Sequence, residues 1–238
     1  MDTATRATAV ALCDLPAGEL ESERRDDPPA RARPGHARRL LELAIELLEQ
    51  SGGGWERIDR IAVGTGPGTF TGLRIGIATA HGLARAREIP LVGISTLESL
   101  ALGGQRAAAE RQLDLVYAVL DARRGEVFAA GWEPDEGDPA AGRRLSAPMA
   151  IAPERLAAKL ADLGRSVLAI GDGAIEFRQA LERSGAVVPE DGSELHRVSA
   201  INHCRLAVSR PVPALVDVRP AYLRLPDAEI ARRAQSSP

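Results

Sequence analysis

Three aspartates, Asp2, Asp121 and Asp172, fall where expected strands end in turns, positions from which carboxylates can hold Mg²⁺ and orient water. Aspartate is also a favoured turn residue, so each can serve its turn alone. No general base, nucleotide-gripping lysine or metal-binding histidine pair can be assigned beside them, and the turn reading is preferred. The four histidines, His36, His81, His196 and His203, form no HxxH-like pair and no HExxH helix. Cys13 and Cys204 are far apart and lack metal-ligand spacing, so neither a disulfide framework nor a zinc site is expected. Ser95 has no His and carboxylate placed recognisably around it and reads as a helix cap rather than a nucleophile.

A glycine-rich loop, Gly64, Gly66, Pro67 and Gly68, follows the strand-like Ile61–Val63 and enters a helix. Loops of this kind present backbone N–H groups to phosphate at a positive dipole end. The spacing is wrong for the familiar versions: Gly72 is followed by Leu73 and Arg74 where a Walker loop needs Lys and Ser or Thr, and Pro67 removes one donor. Thr69 or Thr71 can cap the helix, and the next proline is Pro90. Leu73, Ile75, Ile77, Ala78, Ala80, Leu83, Ala84 and Ala86 point all round its axis, so this helix must be covered on every side. Gly72, Gly76, Ala80 and Ala84 recur every four residues, a smooth ridge suited to close packing against this chain, a partner or both. Glycine loses about 1 kcal/mol against alanine inside a helix, so packing there must compensate.

The elements that position these groups follow from the rest of the chain. With 238 residues, 45% of them apolar, it can bury a core as one large domain or two small lobes. A net charge of −3 and 3% aromatic content argue against an autonomous nucleic-acid binder. No apolar run spans a bilayer and no signal-peptide core opens the chain, so a cytoplasmic location is expected. Residues 7–12 and 19–25 read as strands joined by a turn at 15–18. Residues 21–39, dense in charge and proline, read as a mobile, solvated connection. His36 to Gln50 carries a broad apolar stripe of Leu40, Leu41, Ala44, Ile45, Leu47 and Leu48 and reads as a helix. Strands are expected at 91–94, 115–121, 126–132 and 167–170, and helices at 95–102, 153–163, 175–184 and 199–209. Residues 103–112 read as a passage between lobes, 135–144 as a loose insertion, and 214–223 as extended.

The segment GPGTFTGLRIGIATAHGLA, followed by IPLVGISTLESLA, closely resembles the bacterial TsaB (YeaZ) family. The likeness continues through LDARRGEVFAA at 120–130, GDGA at 171–174 and RPAYLR at 219–224. It implies an α/β fold of two ribonuclease-H-like lobes of the actin and Hsp70-like ATPase superfamily: residues 1–104 a partner-binding lobe, 105–225 a smaller lobe, and 226–238 a frayed tail. Family members begin with several apolar residues before an Asp-Thr pair, whereas here Met1 directly precedes Asp2. The first central strand is therefore expected to be truncated, and a native start upstream is the favoured explanation. The resemblance further implies a non-catalytic subunit without cofactor or metal, paired with a TsaD-like threonylcarbamoyl transferase. The ATPase subunit TsaE joins through that complex, tRNA is met indirectly, and a homodimer forms when the partner is absent. The expected interface comprises Leu40, Leu43, Leu47, Thr71, Gly72, Leu73, Arg74, Ile75, Gly76, Thr79 and Ala80. The rival readings are a metal-dependent, glycoprotease-like peptidase and a stand-alone ATPase.

Overall fold

The computed structural model describes residues 1–15, 20–29, 32–135 and 142–224. Strand β1 (Thr8–Asp14) pairs antiparallel with β2 (Leu20–Asp26), and β3 (Ile61–Gly66) pairs parallel with β4 (Leu91–Ser95). Among the described residues, the start of the chain bridges the two pairs. The Met1 ammonium donates to the Ala62 carbonyl at 2.8 Å, the Gly64 N–H donates to the Met1 carbonyl at 3.0 Å, and Asp2 exchanges two backbone bonds with Ala9. Helices α1 (His36–Gln50) and α2 (Phe70–Arg87) pack on this region, where Leu40, Leu43, Leu47, Ile61, Val63, Ile77 and Leu91 form one apolar core.

The second sheet is continuous. Its strands β5 (Leu115–Arg123), β6 (Glu126–Glu133), β7 (Arg143–Arg144) and β9 (Val167–Ile170) run in the order β7-β6-β5-β9, and β8 (Met149–Ile151) also pairs with β6. Along β5 the alternation is strict: Val116, Ala118 and Leu120 join a core with Leu97 and Leu100 of α3 (Thr96–Glu110). Leu115, Tyr117 and Val119 join another with Leu156 and Leu160 of α4 (Pro153–Asp162) and Leu181 of α6 (Arg178–Arg183). A strand buried on both faces reads as a continuous apolar run, and LVYAVL is one. Helix α5 (Asp172–Glu176) follows β9, and α7 (Ala200–Val208) follows α6. Among the described residues no helix is long and apolar enough to cross a membrane.

Several expectations need correction. The charged run LESERRD, which reads both as a returning strand at 19–25 and as the start of a solvated connection at 21–39, is strand β2. It is held from outside itself: Arg25 donates to the Val198 carbonyl at 2.5 Å, Glu23 accepts from the Ser199 hydroxyl and the Ala200 N–H, and Arg205 grips Glu21 with two bonds. Most of the stretch 103–112 is helical, because α3, expected to end at Leu102, continues to Glu110 with Gly104 packed against Ile170 and Val116. Helix α7, which the sequence division places with residues 105–225, packs instead on β1, β3 and β4. Residues 16–19, most of the expected insertion at 136–141, and the expected frayed tail lie outside the described residues.

Candidate functional site

The ridge on α2 has a definite occupant, the chain's own beginning. A Cβ added at Gly64 would overlap the Asp2 carboxylate, one at Gly68 the Ala4 carbonyl, and one at Gly72 or Gly76 Thr3. The contact is hydrogen-bonded as well as close: the Thr3 hydroxyl donates to the Gly72 carbonyl at 2.8 Å, and the Thr69 N–H donates to the Ala4 carbonyl at 2.7 Å. Two backbone donors that a phosphate loop would offer, those of Gly64 and Thr69, are thus engaged by Met1 and Ala4. Thr69 occupies the N-cap position, but its side chain accepts no capping bond.

This packing buries much of the expected interface within the chain's own core. Gly72, Leu73, Gly76 and Ala80 face inward, and Leu40, Leu43 and Leu47 of α1 are buried in the same core. The surface is drawn from the other sides of the two helices. Thr71, Arg74 and Ala78 of α2 are exposed, Ile75 and Thr79 are half-buried, and on α1 the outward apolar side chains are Leu41 and Ile45, 39% and 47% exposed. The helix is apolar all round without being covered all round. Its exposed apolar groups are mostly alanine, whose small surface makes exposure cheap.

The N-terminus of α2 is pinned by the RPAYLR stretch. The Phe70 and Tyr222 rings lie 5.2 Å apart, and the Arg74 guanidinium sits 3.8 Å above Phe70 while its Nε donates to the Tyr222 hydroxyl at 3.1 Å. The same stretch reaches β3, where the Ala221 N–H donates to the Thr65 carbonyl at 2.8 Å, and just before it the Val218 carbonyl lies 2.9 Å from a His81 ring nitrogen of α2.

The aspartates divide. Asp2 is enclosed: its carboxylate accepts from the Ala4 N–H at 2.9 Å and the Thr96 hydroxyl at 3.4 Å, and lies 3.1 Å from His203 Nε2. Burial pushes this carboxyl up, but His203, the Ala4 amide and the N-terminal ammonium outweigh it and hold it below its ordinary value. Asp172 accepts from the Asp121 N–H at 3.0 Å, and burial, helped by the Asp121 charge, raises its carboxyl above the usual range. Asp121 accepts from the Arg123 N–H at 2.7 Å and pairs with its guanidinium at 2.9 Å. Both Asp121 and Asp172 thus serve the turns they sit in. Among the described residues no three His, Cys, Asp or Glu side chains are grouped to hold a metal ion.

One constellation escaped the sequence reading. His203 Nδ1 lies 2.9 Å from the Ser99 hydroxyl, which donates to the Ser199 carbonyl, so Ser99, His203 and Asp2 form a chain of Ser, His and carboxylate. It is enclosed, with Ser99 and His203 0% and Asp2 2% exposed. No substrate can reach the serine, and the relay acts as a tie among α3, α7 and the first residues. Cys13 and Cys204, distant in sequence, also meet: the hydrogen bond between them draws the Cys204 thiol down to about 7 despite its burial and raises Cys13. Separations of 104 and 201 residues within the relay leave no local signal for it.

Comparison with known proteins places this architecture. The family model described as TsaD: tRNA N6-adenosine threonylcarbamoyltransferase matches residues 28–168. The tRNA threonylcarbamoyladenosine biosynthesis protein TsaB of Escherichia coli K12 is 32% identical over 227 residues, covering 94% of this chain and 93% of the relative. The TsaB protein of Haemophilus influenzae is 29% identical, with coverage of 94% and 92%. A solved Pseudomonas aeruginosa structure, described as an uncharacterized protein with similarity to peptidase YeaZ, superposes with a TM-score of 0.72 at 30% identity, covering 94% of this chain and 97% of that one. With likeness at this level along nearly its whole length, the chain belongs to the TsaB (YeaZ) branch of the family that this model describes.

Proposed function

We propose that this protein takes part in forming threonylcarbamoyladenosine in tRNA as a non-catalytic partner of a TsaD-type transferase. In this reading it is a pair of ribonuclease-H-like lobes that docks through the outer faces of α1 and α2. A TsaE-type ATPase joins through the transferase, tRNA is met in the assembled complex, and a second copy of this chain takes the same face when the transferase is absent. The names carried by the full-length relatives support the pathway. The observation that carries the docking role is the pair of exposed side chains, Leu41 and Ile45, on a helix packed beside α2. Large apolar groups clustered on a helix surface mark an interaction face.

The non-catalytic part of the reading draws on the enclosure of Asp2 and Ser99, the groups best suited to chemistry. Size-exclusion chromatography with the transferase of the same organism tests the docking face. Ile45→Arg should remove co-elution while leaving the melting temperature within a few degrees of the parent, because a surface substitution changes stability by about 0.5 kcal/mol or less. Undiminished co-elution of that variant would sink this face.

A further inference from the structure

We propose that Cys13 and Cys204 form an oxidation site, at which a hydroperoxide closes the two thiols into a reversible disulfide that fastens α7 to β1.

The β1–β2 hairpin and α7 bring the two thiols together. In the register of the hairpin Ala11 stands opposite Glu23 and Cys13 opposite Glu21. Directly opposed residues share a face of a strand pair, as do residues two apart along one strand, so these four side chains point the same way. Val10 and Leu12, which alternate with them, join the core formed with Leu40 and Leu43 of α1. The face of Cys13 is therefore the one that α7 covers. There Glu23 accepts from the Ser199 hydroxyl at 3.2 Å and from the Ala200 N–H, and Arg205 donates to Glu21 at 2.9 and 2.6 Å. Ala200 and Cys204 lie on one side of α7, a turn apart, which matches the step from Ala11 to Cys13 along β1. With Ala200 held at Glu23 and Arg205 at Glu21, Cys204 falls on Cys13, and the two thiols share a hydrogen bond.

The pair is chemically unequal. The bond from Cys13 draws the Cys204 thiol down to about 7, while the same bond, burial and the Glu21 charge hold Cys13 in its protonated form. A cysteine that only fills volume sits among apolar groups; these two stand beside a carboxylate and a guanidinium. Glu21 and Arg205 are 29% and 46% exposed, so a small hydroperoxide can approach from the hairpin side. The Cys204 thiolate attacks one peroxide oxygen: an S–O bond forms, the O–O bond breaks, and the alkoxide leaves and takes a proton from water. The Cys13 sulfur then attacks the sulfenic sulfur as it gives up its own proton, so that an S–S bond forms, the S–O bond breaks and water leaves. Two thiols lose two electrons and two protons, and the hydroperoxide that gains them becomes an alcohol and water.

The test uses the full chain, reduced and freed of reductant, with tert-butyl hydroperoxide at about pH 7. Peptide mapping without reduction should show the fragments bearing Cys13 and Cys204 joined within one chain, and dithiothreitol should release them. The linkage should form at least tenfold more slowly in the urea-unfolded chain, where residues so far apart rarely meet. The oxidised protein should melt several degrees above the reduced one, because the cross-link restricts the unfolded chain. Cys13→Ser should leave Cys204 as a sulfenic acid that dimedone traps, and Cys204→Ser should leave no such adduct on Cys13. The parent chain decides the site even where a variant does not fold. The proposal fails if the folded parent gives no linked fragments, links two copies instead, or links no faster than the unfolded chain. A Tm lowered by the disulfide, or a dimedone adduct on Cys13 rather than Cys204, overturns it as well.

Discussion

The two strand regions of this protein use similar apolar residues and helical cover, but they are closed by different forces. In the second, β5 bonds β6 on one side and β9 on the other, and side chains such as Leu168 and Val119 fill both faces at 0% exposure. In the first, Met1 and Asp2 carry the backbone bonds that bridge the two strand pairs among the described residues, and polar ties complete the join: Asp2 to His203, His203 to Ser99, and Thr3 to Gly72. The second region therefore depends on apolar volume. The first depends on a few buried polar contacts whose geometry leaves little slack.

Breaking one tie in the first region should have the largest effect. His203→Ala leaves the Asp2 carboxylate buried without its partner, and breaking a buried pair in this way costs about 3–5 kcal/mol. Urea unfolding measures it, and a loss below about 1 kcal/mol would mean that the relay does not join the region. In the closed sheet the corresponding probe is Leu168→Ala, expected to cost about 2–5 kcal/mol by loss of volume alone. That cost should depend little on pH, because what is lost is apolar volume in the cluster of Leu100, Val116 and Ile170.

Gly76→Ala sharpens the contrast at a smaller scale. Helix propensity favours alanine by about 1 kcal/mol, but its methyl group would overlap the Thr3 hydroxyl, and overpacking of this kind costs about 1–3 kcal/mol. A net loss of Tm is expected. A gain would show that Thr3 yields, and with it that the first region has more slack than its contacts display.

Acid should act first on the interrupted region. His36 lies buried with a ring nitrogen 2.9 Å from the Thr8 hydroxyl of β1, and burial lowers its pKa below the ordinary 6.5 despite the Asp2 and Asp26 charges. A lowered folded value means that this contribution is present above about 6.5 and is lost as pH falls through the folded value. Asp2, also lowered in the folded state, has the same sign in a lower window that begins near 3.8. Stability measured by urea midpoint should thus decline in two acid limbs. His36→Gln should flatten the upper limb and leave the lower one; an unchanged upper limb would assign it elsewhere.

Much of the secondary structure was legible because its signals are local. The stripe of α1 predicts His36 to Gln50, the bounds observed, and the apolar runs of β3, β5 and β9 stand where period and length place them. Strand β2 was legible only as the return of a hairpin, since LESERRD carries no apolar alternation; the contacts that hold it, from Arg205, Ser199 and Val198, come from far along the chain and had no local signal. Burial on α1 and α2 was half legible, because a helix apolar all round does not say which side meets its own core.

By itself the sequence determined the order of elements, the family and the presence of a smooth ridge on α2, all properties of neighbouring residues. Only the tertiary structure decided that Thr3 fills the ridge and that Asp2 meets His203. Burial and hydrogen-bond pairing depend on which distant groups meet, and no local period encodes that.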